Sequence, residues 1–178
     1  MDRKDIEDKA IETLEKVKYK DVSDSIDVID VAKKLGFVVG NAVLDNNEDG
    51  FIVIKEGADN ILGIKTDKLI GVNAKKDLAW KRFIIAHEIG HYVLHYDREK
   101  DSGMYAHREH KKGKSELENE ADFFAVNLLM PRDKFMNKYT ELKDKDLSNE
   151  DMVVLLASKF MVTQPMVKRR LEELEIVA

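Results

Sequence analysis

The segment FIIAHEIGHYVLHY, residues 83–96, carries the pattern His-Glu-x-x-His inside an apolar stretch. The apolar residues recur at helical spacing, which predicts a helix over residues 78–96. Residues four apart on a helix lie on one face with Cβ atoms about 5 to 6 Å apart, so His87 and His91 can both reach one metal ion. Glu88 would then be a general base that takes a proton from the water activated by the metal. The segment predicts part of a zinc-dependent hydrolytic site.

Composition limits the classes of protein to which the chain can belong. Its 178 residues suffice for one compact domain, and its net charge of −5 with a pI near 5.6 gives no general attraction to nucleic acid or an anionic membrane. The absence of cysteine means that any metal must be held by nitrogen and oxygen atoms. No apolar run reaches the roughly 18 residues of a membrane span, and the charged first residues lack a signal-peptide core. The expected location is therefore the cytoplasm.

The order of predicted elements indicates an α+β fold. Helical periodicity occurs at both ends of the chain, and short β-like runs separated by turn residues lie between them. We therefore expect a small antiparallel sheet flanked by helices. The predicted helices cover about residues 1–20, 25–36, 78–96 and 116–130 with two more from about residue 147, the predicted strands cover residues 37–44, 51–57, 60–67 and 69–73, and residues 97–115 are a polar loop.

A catalytic zinc site usually has three protein ligands, so a third ligand must come from outside the first helix. An extended motif with a third histidine is disfavoured, because the position ten residues after His87 is Asp97. The next helix, ELENEADFF, places Glu118 and Glu120 at the margins of an apolar stripe, where a carboxylate needs a partner. Periodicity alone leaves both glutamates open. His95 lies one turn beyond the histidine pair and is expected to cap the helix end or to support a ligand.

Two separated motifs resemble the ImmA/IrrE family of zinc metallopeptidases. They are RFIIAHEIGHYVLH, residues 82–95, and ENEADFFAVNLLMP, residues 118–131, and the resemblance extends to IDVAKKLGF and GVN upstream and to the C-terminal helices. It implies a zincin-like domain with a His-Glu-x-x-His helix and a glutamate helix, and no cofactor other than Zn²⁺. By resemblance, His87 and His91 are zinc ligands and Glu88 is catalytic. The third ligand is then Glu120, with Glu118 as the alternative, and Asp122 orients a ligand histidine.

The resemblance also implies a substrate. Members of the family act in the cytoplasm as site-specific endopeptidases on helix-turn-helix repressors, and the cleavage derepresses genes of mobile elements, prophages or stress regulons. The sequence does not assign the residue that stabilises the oxyanion. Tyr105, His107 and His110, in the polar segment between the two motifs, are candidates for this role, but the segment is expected to be a solvated loop; the alternative is a substrate-recognition element.

The C-terminal part of the chain supports an alternative function. Residues 149–174 have the outline of a helix-turn-helix, with Thr163 as a candidate N-cap and a basic cluster at residues 168–170. This outline would suit a non-proteolytic regulator that binds DNA or a repressor. Residues 140–178 carry 6 Lys/Arg and 8 Asp/Glu, however, and a phosphate-binding surface is usually basic. We therefore expect three parts: an N-terminal helix (1–20), a metallopeptidase domain (21–138) and a C-terminal helical subdomain (139–178) packed on it.

Overall fold

A computed structural model describes residues 1–20, 23–97, 99–101, 104–110, 115–145 and 147–176, with residues 104–110 described through their backbone. The α+β class is confirmed. None of the helices in these ranges is long and apolar enough to cross a membrane. The elements are helices α1 (Arg3–Lys16), α2 (Val28–Lys34), α3 (Leu78–Leu94), α4 (Glu116–Leu129), α5 (Arg132–Lys143), α6 (Asn149–Phe160) and α7 (Gln164–Glu173), and strands β1 (Val38–Ala42), β2 (Glu48–Lys55), β3 (Lys68–Asn73) and β4 (Met104–His110).

Helices α2, α3, α4 and α6 begin at a short polar side chain that accepts a backbone hydrogen bond, whereas the side chain of Thr163, the predicted N-cap of α7, makes no such bond. Asp77 accepts a hydrogen bond from the backbone N–H of Trp80 at 2.8 Å, and Ser115 and Ser148 cap α4 and α6 in the same way. Such caps satisfy N–H groups that lack a partner inside the helix. All six predicted helices are present. Helix α5, which follows directly after Pro131, was not predicted, and the domain boundary predicted at residue 139 falls inside this helix.

The four strands form a mixed sheet in the order β1-β3-β2-β4. Strand β2 is antiparallel to both β3 and β4, whereas β1 is parallel to β3. The expectation of a purely antiparallel sheet is therefore wrong for one edge, because the hydropathy of a strand does not specify which neighbour it pairs with. The strand predicted at residues 60–67 is also wrong. Only the bridge between Ile61 and Ile64 forms there, around a tight turn in which Leu62 and Gly63 have positive φ.

Strand β4 lies inside the segment predicted to be a loop. Its backbone pairs with β2, with Tyr105 opposite Ile54 and His107 opposite Ile52. Backbone hydrogen bonds hold an edge strand in the sheet whatever the hydropathy of its side chains. The polar and charged sequence of β4 is therefore compatible with a place at the edge of the sheet. The prediction of a loop over residues 97–115 is corrected to that extent.

Helix α4 packs closely against α3 at Gly90. A Cβ added at this position would lie 3.1 Å from Phe124 Cδ1 and 3.2 Å from both Cα and O of Ala121. Side chains of α6 and α7, such as Phe160 and Val167, belong to the same buried cluster as those of α3 and α4. The zincin-like and helix-turn-helix descriptions, and the three-part division, stay predictions.

Candidate metal centre

Helices α3 and α4 bring three potential metal ligands together. His87 and His91 are fully buried, and their Nε2 atoms lie 3.0 Å apart. Glu118, in the first turn of α4, places one carboxylate oxygen 3.2 Å from His87 Nε2 and the other 3.4 Å from His91 Nε2. The three residues form a group whose ligand atoms all lie within 4.8 Å of one another.

The separations within this group suit a metal ion. Two ligands at about 2.05 Å from a tetrahedral zinc ion are about 3.3 Å apart, close to the observed distances. An Nε2 atom that can bind a metal is an acceptor, as is a carboxylate oxygen. Acceptors converging at these distances repel one another unless a proton or a metal cation lies among them. The residues present therefore fit a metal ion held by two nitrogens and a carboxylate.

The structure places Glu118, and not Glu120, beside the histidine pair. Residues two apart on a helix point in directions about 200° apart, since each residue turns the helix by about 100°. Glu118 and Asp122, four residues apart, therefore face α3 together, while the carboxylate of Glu120 lies 3.0 Å from His95 Nε2. The geometry favours the alternative, Glu118, over the first choice, Glu120, and the identity of the third ligand stays a prediction.

Asp122 supports the first histidine of the pair. Its Oδ1 atom lies 3.0 Å from His87 Nδ1, and both side chains are buried. A carboxylate at this nitrogen favours the tautomer that leaves Nε2 available to a metal. The contact expected between Asp122 and a ligand histidine is present. The other carboxylate oxygen of Asp122, Oδ2, lies 3.8 Å from Arg169 Nη1. This ion pair connects α7 to the candidate centre.

His95 follows α3 directly as its C-cap residue, and its backbone N–H donates to His91 O at 3.0 Å. Its Nδ1 lies 3.0 Å from His91 Nδ1, and its Nε2 faces Glu120. Glu120 also accepts a hydrogen bond from the N-terminal amine of Met1. That bond and, after it, the one from His95 hold the pKa of Glu120 below its usual range, against the effect of burial. The carboxylate is therefore ionised at neutral pH.

Glu88 is fully buried where α3 meets the sheet. A Cβ added at Gly50 of β2 would lie 3.5 Å from Glu88 Oε1 and 2.3 Å from Ile84 Cγ2, so only glycine lets the strand lie this close to the helix. This role of Gly50 was not predicted from the sequence, although a glycine inside a predicted strand can signal close backbone approach. The role of Glu88 as a base stays a prediction.

The remaining candidates lie outside the part of the chain whose side chains the structure describes. The backbone of Tyr105, His107 and His110 belongs to β4, next to β2. Their suggested roles, as oxyanion donors or in substrate recognition, stay predictions.

The basic cluster of α7 is largely used within the fold. Arg170 is 1% exposed and donates hydrogen bonds to Met130 O and to Glu7 Oε1, both at 3.1 Å. Arg169 donates to Glu173 Oε1 at 2.9 Å, and Lys168 is exposed. Because two of the three cations bind groups of the chain itself, the cluster provides a weak surface for phosphate.

Comparison with known proteins identifies the family. None of the curated proteins compared with the chain matches it. The model of the Peptidase_M78 family, described as the IrrE N-terminal-like domain, matches residues 41–172, which includes α3, α4 and all the side chains of the candidate centre. The resemblance to the ImmA/IrrE family is thereby confirmed. With well over half of its length matched, the chain belongs to the Peptidase_M78 family of metal-dependent peptidases.

Proposed function

We propose that the protein is a zinc-dependent endopeptidase in which His87, His91 and Glu118 hold the metal. The observation that carries this proposal is the convergence of two Nε2 atoms and a carboxylate within 3.0 to 3.4 Å of one another. Zinc accepts this mixture of imidazole and carboxylate ligands. Three protein ligands leave a position for water or substrate, which distinguishes a catalytic site from a closed structural one.

Glu88 is the general base in this proposal. When zinc is bound, it polarises the scissile carbonyl and lowers the pKa of a water molecule. Glu88 takes one proton from the water as the water oxygen adds to the carbonyl carbon. It then delivers that proton to the departing amide nitrogen as the C–N bond breaks. The products are a carboxylic acid and an amine. Burial of Glu88 keeps its carboxylate away from bulk water.

The proposed substrate is a helix-turn-helix repressor in the cytoplasm, whose cleavage derepresses genes of a mobile element, a prophage or a stress regulon. The support for this substrate is membership of the IrrE N-terminal-like family together with the motif resemblance. A repressor encoded beside the protein is the first candidate to test. A regulator that only binds DNA is a weaker proposal, because Arg169 and Arg170 bind groups within the chain.

The experiment compares wild type, Glu88→Gln and Glu118→Gln for bound zinc and for cleavage of the candidate repressor. Glu88→Gln should retain zinc and lose cleavage, since the amide cannot accept the proton. Glu118→Gln should lose zinc as well as cleavage. A wild type that binds no zinc would contradict the metal site, and cleavage by Glu88→Gln at the wild-type rate would contradict the assigned base. Binding to DNA that weakens as salt is added would instead favour the regulator.

A further inference from the structure

A row of three polar side chains leads away from the candidate centre on the side of His91. His91 Nδ1 lies 3.0 Å from His95 Nδ1, and His95 Nε2 lies 3.0 Å from Glu120 Oε2. The side chains of His95 and Glu120 are only 8% and 12% exposed. Water therefore competes little for these contacts, and each ring nitrogen of His95 faces one defined partner.

A single arrangement of protons satisfies the whole row. If His91 binds a metal through Nε2, its neutral ring carries a proton on Nδ1, which it donates to His95 Nδ1. His95 then carries its own proton on Nε2 and donates it to the carboxylate of Glu120. Both contacts become hydrogen bonds directed away from the metal. The opposite tautomer of His95 would place two N–H groups, those of His91 and His95, against each other.

The backbone fixes the position of His95 in this row. It is the C-cap residue of α3, where the backbone leaves the helical conformation with φ −120° and ψ −24°. The ring lies 5.1 Å, between centroids, from that of His91 one turn earlier. Glu120 reaches it from α4, so the row bridges the same two helices that supply the ligands.

We propose that His95 and Glu120 are positioning residues for the metal ligand His91. The proposal rests on the proposed metal site and adds to it two residues that hold a ligand in position. Asp122 contacts His87 directly, whereas Glu120 acts on His91 through an intervening imidazole. The row fixes the rotation and tautomer of the His91 ring and makes its Nε2 a stronger donor to the metal, as carboxylates next to ligand histidines do.

The test measures zinc affinity by competition with a chromophoric chelator in wild type, His95→Phe and Glu120→Gln. Loss of such a partner typically weakens metal binding about 10- to 100-fold, which is the expected change for His95→Phe. Glu120→Gln should weaken binding less, since its amide oxygen can still accept the proton of His95 Nε2. Glu116→Gln is the matched control, because it removes the same charge from an exposed position on the same helix and should bind zinc as wild type does. Circular dichroism establishes that each variant is folded.

A second measurement is independent of any variant. Long-range ¹⁵N–¹H correlation spectra of the zinc-loaded wild type should show His95 with its proton on Nε2 and His91 with its proton on Nδ1. A proton on Nδ1 of His95, or unchanged zinc affinity in folded His95→Phe and Glu120→Gln, would overturn the positioning role while leaving the proposed peptidase intact. A wild type that binds no zinc would overturn both.

Discussion

Asp122 Oδ1 lies 3.0 Å from His87 Nδ1, one helical turn after the Glu118 carboxylate that faces Nε2 of the same ring. Helix α4 thus contacts both nitrogens of one histidine, one with a candidate metal ligand and the other with a supporting carboxylate. The spacing of four residues makes this possible, because it places both carboxylates on the face turned toward α3.

Asp122→Ala should weaken zinc binding about 10- to 100-fold, because the ring of His87 loses the acceptor that fixes its tautomer. Asp122→Asn should weaken binding less, since its amide oxygen can still accept the proton of Nδ1. Competition with a chelator measures both variants. Equal zinc affinity of Asp122→Ala and wild type would contradict the supporting role.

Removal of metal should lower thermal stability. A ligand that binds only the folded state stabilises it by about 2.7 kcal/mol when its free concentration is 100 times the Kd. The melting temperature should therefore fall on treatment with EDTA and recover when zinc is added. Glu118→Gln is the control, and its melting temperature should respond to neither treatment. A wild type that melts at the same temperature with and without zinc would contradict a site formed in the folded state.

Gly90→Ala should destabilise the fold by about 1 to 3 kcal/mol, because overpacking forces neighbours apart. The new methyl group would meet the backbone of Ala121 at 3.2 Å, and a helix backbone cannot move as a flexible side chain does. The helix propensity of alanine is about 1 kcal/mol more favourable than that of glycine. The substitution therefore destabilises the protein only if the contact with Ala121 costs more than this gain. Urea unfolding measures the change.

Gly40→Ala is the control for that experiment, since nothing lies within 4 Å of the position where its Cβ would be. Because a glycine inside a strand is disfavoured relative to alanine, this substitution should leave stability unchanged or raise it by up to about 1 kcal/mol. If Gly90→Ala instead stabilised the protein, the close contact between α3 and α4 would not limit the size of the residue at this position.

Arg170→Met should destabilise the protein, by at most about 3 to 5 kcal/mol, the cost of removing one partner from a fully buried charged pair, because Arg170 is buried and Glu7 only partly so. The substitution leaves Glu7 without its 3.1 Å hydrogen bond and Met130 O without a donor. Chemical denaturation measures the loss. Lys168→Ala, at an exposed position two residues earlier on the same helix, should change stability by less than about 0.5 kcal/mol. Equal effects of the two substitutions would contradict the structural role of Arg170.

The sequence predicted the helices that carry the centre because their patterns are local. The spacing of His87 and His91 places both on one face of α3. The sheet was less predictable. Pairing of β1 with β3, and the position of β4 at an edge, depend on contacts between segments distant in sequence. A polar sequence such as that of β4 carries no periodic signal of strand structure.

The sequence by itself determined the fold class, the family, and a histidine pair with a glutamate between its members. Only the tertiary structure shows which of Glu118 and Glu120 lies beside the histidine pair, because that depends on which face of α4 meets α3. That orientation is set where Gly90 admits the Ala121 backbone, and it turns Glu118 and Asp122 toward the histidines. With the same packing, Glu120 faces His95. Their contact links the C-terminal end of α3 to the N-terminal part of α4.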